Sequence, residues 1–63
     1  MKTVYLNWKG PQGRETLDEF TRGKDAPAGF REFRQYVREM LHEYVLSGMD
    51  AYLSGRPCRG WRD

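Results

Sequence analysis

Two side chains of this chain could act as nucleophile and base, and each residue type occurs once: Cys58 and His42. A thiolate beside an imidazole is a minimal set for nucleophilic catalysis. Arg56 and Arg59 lie near the cysteine in sequence, and neighbouring positive charge is typical of reactive thiols. No third group is evident that would orient the imidazole. His42 falls on the polar face of a predicted helix, near its C-terminal turn, where the helix dipole favours a cation without any catalytic role. We therefore predict that the protein is not an enzyme and has no catalytic residue.

A metal or cofactor site is equally poorly supported by the residue spacing. Structural zinc sites need several Cys or His ligands in short spacings such as CxxC or HxxxH, and one Cys with one His provides neither. The phosphate-binding patterns GxGxxG and GxxxxGK[ST] are also missing from the sequence. We predict no metal and no cofactor.

Three carboxylates lie close together at Glu15, Asp18 and Glu19. They could form an acid/base group or a divalent-cation site. We interpret them as charges on an exposed edge strand, where they discourage edge-to-edge association between sheets. On a rigid hairpin they could also provide electrostatic complementarity to a cationic partner.

The C-terminal segment SGRPCRGWRD combines Arg56, Arg59 and Arg62 with Trp61. Three interpretations are open. Trp61 could fold back over the sheet or the helix end as an additional core residue. Arginine and tryptophan are also enriched in protein–protein hot spots, and they suit phosphate contacts combined with stacking on a base.

Hydrophobic periodicity predicts the elements that position these residues. Residues 1–8 alternate, with Val4, Leu6 and Trp8 on one face and Thr3, Tyr5 and Asn7 on the other, which predicts a strand. The Gly- and Pro-containing stretch 9–13 predicts a hairpin turn. Residues 14–21 form a returning strand, with Thr16, Asp18 and Phe20 on one side and Glu15, Leu17 and Glu19 on the other.

Residues 30–47 give the clearest pattern, an apolar stripe at three- and four-residue spacing that predicts an amphipathic helix. We expect Asp25 to cap this helix with Pro27 in its first turn, so that it begins between Asp25 and Phe30. Gly48 is a natural end of the helix. Residues 49–55 predict a third strand, with Met49, Ala51 and Leu53 on one face, which Pro57 ends or confines to a sheet edge.

Joined in chain order, these elements predict an α+β fold. It is a three-stranded antiparallel sheet, β-β-α-β with strand order 2-1-3, and the amphipathic helix packs on one face. The other sheet face is expected to stay uncovered, and it carries Tyr5, Asn7, Thr16, Asp18 and Tyr52. The predicted core consists of Val4, Leu6, Trp8, Leu17, Phe30, Phe33, Val37, Met40, Leu41, Tyr44 and Leu53.

The bulk composition limits the protein to a single small domain over residues 1–63, with a thin core that 14% aromatic residues help to fill. The net charge of +2 is too small to indicate a nucleic-acid binder. A single cysteine excludes an intramolecular disulfide, and no N-terminal run is as apolar as a signal peptide or a membrane span. We therefore expect a cytoplasmic protein with no membrane partner.

Three segments, GRETLDEF, REMLHEYVLSG and AYLSGRPCRGW, occur in this order. The chain resembles a group of short, mostly uncharacterised phage, prophage and bacterial proteins that share ETxDEF and RPCxxW motifs. The likeness covers about two-thirds of the sequence and departs from the pattern over residues 22–33. It implies a compact accessory protein of a mobile element and assigns no activity.

We therefore predict a non-catalytic small binding protein, a phage or mobile-element accessory protein that occupies the surface of a host protein or nucleoprotein and could inhibit a host defence complex. The alternative is a small nucleic-acid-binding protein that uses the Arg/Trp C-terminal segment. A homodimer is also compatible with so small a core. The candidate partner-binding residues are Arg56, Arg59, Trp61, Arg62, Glu15, Asp18, Glu19, Tyr5 and Tyr52.

Overall fold

The chain forms a three-stranded antiparallel sheet with one helix, in a computed structural model that describes residues 2–62. Its elements are, in chain order, β1 (Thr3–Gly10), β2 (Gly13–Thr21), α1 (Phe30–Leu46) and β3 (Ala51–Ser54). The strand order is β2-β1-β3, and both neighbours run antiparallel to β1. The predicted α+β class and strand order are therefore confirmed.

A tight hairpin joins β1 to β2. The two strands pair from Thr3 opposite Thr21 to Gly10 opposite Gly13, so both reach the turn and β1 is longer at this end than predicted. Gly13 has φ of 118°, which side chains larger than hydrogen rarely adopt. Trp8 lies against Gly10, where an added Cβ would come within 2.8 Å of its Cη2 atom. Trp8 is thus half-buried at the hairpin end, outside the core cluster in which we expected it.

A β-bulge in the hairpin reverses part of the predicted side-chain pattern. Leu6 pairs with Asp18 while Asn7 pairs with Thr16, so Leu17 is an extra residue in β2. One extra residue shifts the alternation of the strand. Leu17 therefore packs against the core, whereas Glu19 lies opposite Tyr5. The predicted grouping of Thr16, Asp18 and Phe20 on one side of β2 is wrong for this reason.

The core lies between the sheet and α1. Its buried apolar residues are Leu6, Phe20, Phe33 and Val37. Phe20, which the predicted core omitted, packs edge to face against Tyr36 at 5.7 Å between ring centroids. The predicted core residue Phe30 is instead 67% exposed, because it begins the helix at the rim of the sheet. The partly buried residues around the core are Val4, Leu17, Ala26, Tyr36, Met40, Leu41, Tyr44, Ala51 and Leu53.

The two ends of α1 are formed in different ways. Gly29 is the N-cap and provides no side-chain bond, and the predicted cap Asp25 instead accepts a hydrogen bond from the Thr21 N–H at 2.6 Å. Asp25 thus orders the loop after β2, and Pro27 lies before the helix and not in its first turn. At the other end, Met49 N–H donates to the Tyr44 carbonyl and Gly48 N–H to the Val45 carbonyl. This bonding pattern is a Schellman motif, with Gly48 at φ of 89°.

The third strand is shorter than predicted and ends at Ser54. Ala51 and Leu53 contribute to the core, while Tyr52 pairs with Asn7 on the opposite face of the sheet. The chain therefore leaves the sheet at Gly55.

Gly48→Ala tests the helix end. The substitution is expected to lower the free energy of unfolding by about 1–2 kcal/mol, because an L side chain is strained at positive φ. Urea denaturation measures this difference. Gly55→Ala is the matched control, since no atom lies near either added Cβ and φ at Gly55 is outside the left-handed region. Equal free energies of unfolding for the two variants would contradict the assignment of Gly48 to the positive-φ position of a Schellman motif.

Candidate interaction surface

Residues 55–62, the C-terminal arm, cross the sheet face opposite α1. The Asn7 side-chain Nδ2–H in β1 donates to the carbonyl of Arg56 at 3.1 Å. The backbone N–H of Cys58 donates to the Thr16 hydroxyl in β2 at 2.6 Å. The arm is therefore attached to two neighbouring strands, and it runs from β1 towards β2.

A third hydrogen bond links these two attachment points. The Thr16 hydroxyl donates to Asn7 Oδ1 at 2.7 Å. The side-chain amide of Asn7 thus accepts a hydrogen bond from β2 through its oxygen and donates one to the arm through its nitrogen. The Thr16 hydroxyl donates to Asn7 and accepts from Cys58. We call Asn7, Thr16 and the two arm residues they bind, Arg56 and Cys58, the polar clasp.

The expectation of an uncovered sheet face is wrong because of the arm. Asn7 is only 3% exposed, and it is a buried polar residue in the middle of the central strand. Tyr5, Thr16 and Tyr52 are half-buried on the same face, whereas Asp18 pairs with Leu6 and therefore lies on the α1 side of the sheet. β3 ends at Ser54, and the chain turns at Gly55. The residues that follow then cross the sheet face opposite α1.

Trp61 lies over β2 as part of the arm. It is half-buried and sits between Cys58, which is bonded to Thr16, and Arg62, which is paired with Glu19. Its indole Nε1 is buried and has no hydrogen-bond acceptor among residues 2–62. The ring is therefore partly covered, but it is not among the residues of the core cluster, which the first interpretation of this segment expected.

Arg62 adds a weak attachment at the end of the arm. Its Nη2 atom is 3.3 Å from Glu19 Oε1, and its guanidinium is 5.1 Å from the centroid of the Trp61 ring. The Arg62 side chain is 69% exposed, and exposed ion pairs contribute about 0–1 kcal/mol. The polar clasp, not this ion pair, is therefore the main polar attachment of the arm.

Some of the predicted partner-binding residues are exposed, and others are bonded to residues of the same chain. Arg56, Arg59 and Glu15 are exposed, and Glu15 lies at the hairpin, apart from the arm's attachments. Asp18 accepts a hydrogen bond from the Glu19 N–H at 2.8 Å, so two carboxylates of the acidic stretch have partners within the fold.

The two predicted aromatic contacts lie on the face that the arm crosses. Tyr5 pairs with Glu19 across β1 and β2, and the guanidinium of Arg14 is 5.8 Å from the Tyr52 ring centroid. Both tyrosines are therefore half-buried, whereas an uncovered sheet face would have left their side chains exposed.

His42 and Cys58 lie on opposite sides of the sheet. His42 is exposed on the outer surface of α1, whereas Cys58 is half-buried in the arm on the other face. The sheet separates them, so they do not form a nucleophile–base pair. Among residues 2–62, no group of three or more His, Cys, Asp or Glu residues could hold a metal ion. Within the same part of the chain, no helix is long and apolar enough to cross a membrane.

Sequence reasoning missed the residues that fix the arm. The sequence pattern predicts a solvent-facing position for Asn7 and Thr16, because a polar residue in an alternating strand is typical of an exposed face. The position of Asn7 could have indicated a covered face. It lies in the middle of the most apolar strand, where a buried amide needs hydrogen-bond partners. A second missed contact places the Arg22 guanidinium 3.8 Å from the centroid of the exposed Phe30 ring.

Comparisons with protein-family models, with curated proteins and with solved structures found no match.

Thr16→Val tests the polar clasp. Valine has nearly the same shape but leaves the Cys58 N–H and Asn7 Oδ1 without their partner. The free energy of unfolding is expected to fall by about 1–3 kcal/mol, the cost of leaving buried polar groups unpaired. Chemical denaturation followed by circular dichroism gives this value.

Thr3→Val is the matched control for this change. Within residues 2–62, the Thr3 hydroxyl bonds to the Thr21 hydroxyl, at 3.0 Å, and has no hydrogen bond to the arm. We expect a smaller loss of stability there. A Thr16→Val protein as stable as the unmodified chain would show that the polar clasp does not hold the arm.

Proposed function

We propose that this chain is a non-catalytic binding protein that occupies the surface of another protein, with Arg56 and Arg59 as its charged contacts. One observation carries this proposal. The backbone of the arm is attached at Arg56 and Cys58, and the side chains of Arg56 and Arg59 remain exposed beside those attachment points.

A fixed arm favours binding for a thermodynamic reason. A segment that is ordered before it meets a partner loses less conformational entropy on binding than a free tail. Arginine suits the contact because its planar guanidinium can donate two parallel hydrogen bonds to a carboxylate. The complementary surface is therefore acidic, since like charges across an interface are repelled.

The biological setting of the proposal rests on the resemblance described above. The RPCxxW motif corresponds to residues 56–61, which lie in the arm. Cys58 and Trp61 are half-buried in the arm, and Cys58 is bonded to Thr16, while Pro57 and the two arginines remain exposed. We propose a phage or mobile-element accessory protein that binds a host protein or nucleoprotein, with inhibition of a host defence complex as one such role.

Nucleic-acid binding through the same segment has fewer groups to support it. Trp61 is half-buried with its indole nitrogen enclosed, which limits stacking of a base on its ring. Arg62 is paired with Glu19. Arg56 and Arg59 remain for phosphate contacts. Such contacts release counterions, so that binding would weaken steeply as salt is raised.

Replacing both exposed arginines, Arg56→Glu and Arg59→Glu, tests the protein-binding proposal. The tagged chain is used to capture proteins from a lysate of cells that produce it, with and without nuclease. We expect a nuclease-resistant protein partner, and an affinity for that purified partner that falls at least about tenfold in the double variant. Isothermal titration calorimetry measures the affinity.

The control double variant is Lys24→Glu with Arg38→Glu, which changes the net charge equally at two other exposed positions. Equal losses in both variants would indicate nonspecific attraction and contradict the role of the arm. Failure to recover any protein in stoichiometric amount over several salt concentrations would contradict the proposal as a whole. Retention that nuclease abolishes would favour the nucleic-acid alternative.

A further inference from the structure

A notch interrupts the sheet where β3 ends, on the face that carries α1. β3 pairs with β1 only from Tyr5, opposite Ser54, to Trp8, opposite Ala51. Within residues 2–62, no strand therefore lies beside Thr3 and Val4 on that side of β1. The chain turns away at Gly55 to form the arm, which leaves room for one more short strand.

The lining of the notch is apolar. Val4, Phe33, Val37 and Leu53 contribute to it, and Phe33 and Val37 are core residues that are 3% and 4% exposed. Its volume is about 520 Å³, which is in the range of sites that accept an apolar side chain or a small ligand. The notch is therefore an open recess whose accessible apolar lining is Val4 and Leu53, with the buried Phe33 and Val37 beneath it.

The charge around the notch has one sign. Lys2 and Arg34 line it, both are exposed, and none of the Asp or Glu residues in the described part of the chain does so. Phe30 lies at the same rim, 67% exposed, beneath the Arg22 guanidinium. An apolar recess bordered by cations matches a partner that carries an apolar side chain next to a carboxylate.

We propose that the notch binds an extended, acidic segment of a partner protein. An apolar side chain of the segment enters the recess, and flanking carboxylates contact Lys2 and Arg34. Its backbone lies beside Thr3, whose N–H and C=O face the side of β1 that β3 leaves free, so that an added segment extends the sheet, a common mode of peptide recognition. The inference rests on the proposed protein-binding function and adds a second contact on the face opposite the arm.

A labelled synthetic peptide tests this chemistry directly. The probe has a central Leu–Phe pair with Asp and Glu on both sides, and fluorescence anisotropy measures its affinity for the full chain. We expect saturable binding that weakens at least about tenfold when Lys2→Glu and Arg34→Glu are combined. The double variant Arg56→Glu and Arg59→Glu, with the same change in net charge, is expected to alter the affinity less than about twofold.

A second probe, in which Ala–Ala replaces Leu–Phe, tests the apolar recess without altering the protein. We expect its affinity to be at least about tenfold lower, because the apolar contact is lost. Amide chemical shifts in the NMR spectrum should change at Thr3, Val4 and Leu53 when the first probe binds. The same spectra verify that each variant is folded.

Three results would overturn the inference: no saturable binding of the first probe, equal affinity for both probes, or equal losses in the notch and arm variants. The two proposals can fail separately. A captured partner that is lost by the arm variant but kept by the notch variant contradicts only the notch. The reverse pattern contradicts only the role of Arg56 and Arg59.

Discussion

The hydrogen bonding of one buried amide constrains most of this fold. Asn7 lies at the centre of β1 with 3% of its surface exposed, and a buried amide without partners costs about 1–3 kcal/mol. The bulge at Leu17 provides one of these partners. Without the extra residue Asn7 would face Leu17, and with it Asn7 faces the Thr16 hydroxyl. The Arg56 carbonyl provides the other partner, so the strand register and the path of the arm depend on the same side chain.

This arrangement covers both faces of a very small sheet by different means. Apolar residues of α1 cover one face, and an irregular arm held by hydrogen bonds covers the other. On the second face, a polar attachment with one half-buried tryptophan stands where a larger domain would have an apolar layer. Arg56 and Arg59 on the outer side of the arm stay exposed, and a notch is left where β3 stops.

The features of the fold that could be predicted from the sequence are those set by residues close together in the chain. The periodicity of α1, the turn around Pro11 and the alternation of β1 and β3 are local, and the strand order follows from the connections between them. The bulge has no local signal, because an extra residue is recognised only against its partner strand. The path of the arm was missed because Asn7 has the sequence pattern of a solvent-facing residue. Arg56 and Arg59, predicted as partner-binding residues, are exposed, and their binding role stays a prediction. The notch depends on where β3 ends, which the sequence pattern places one residue too late.

Hydrogen exchange at the backbone amide of Cys58 tests the docking of the arm most directly. That amide donates to Thr16 at 2.6 Å from a segment with no regular secondary structure. If the arm is docked as described, NMR will show the Cys58 amide protected from exchange, at a rate close to that of the β1 amides. Exchange at the rate of an unstructured peptide, with β1 still protected, would show that the arm is detached and would contradict the account.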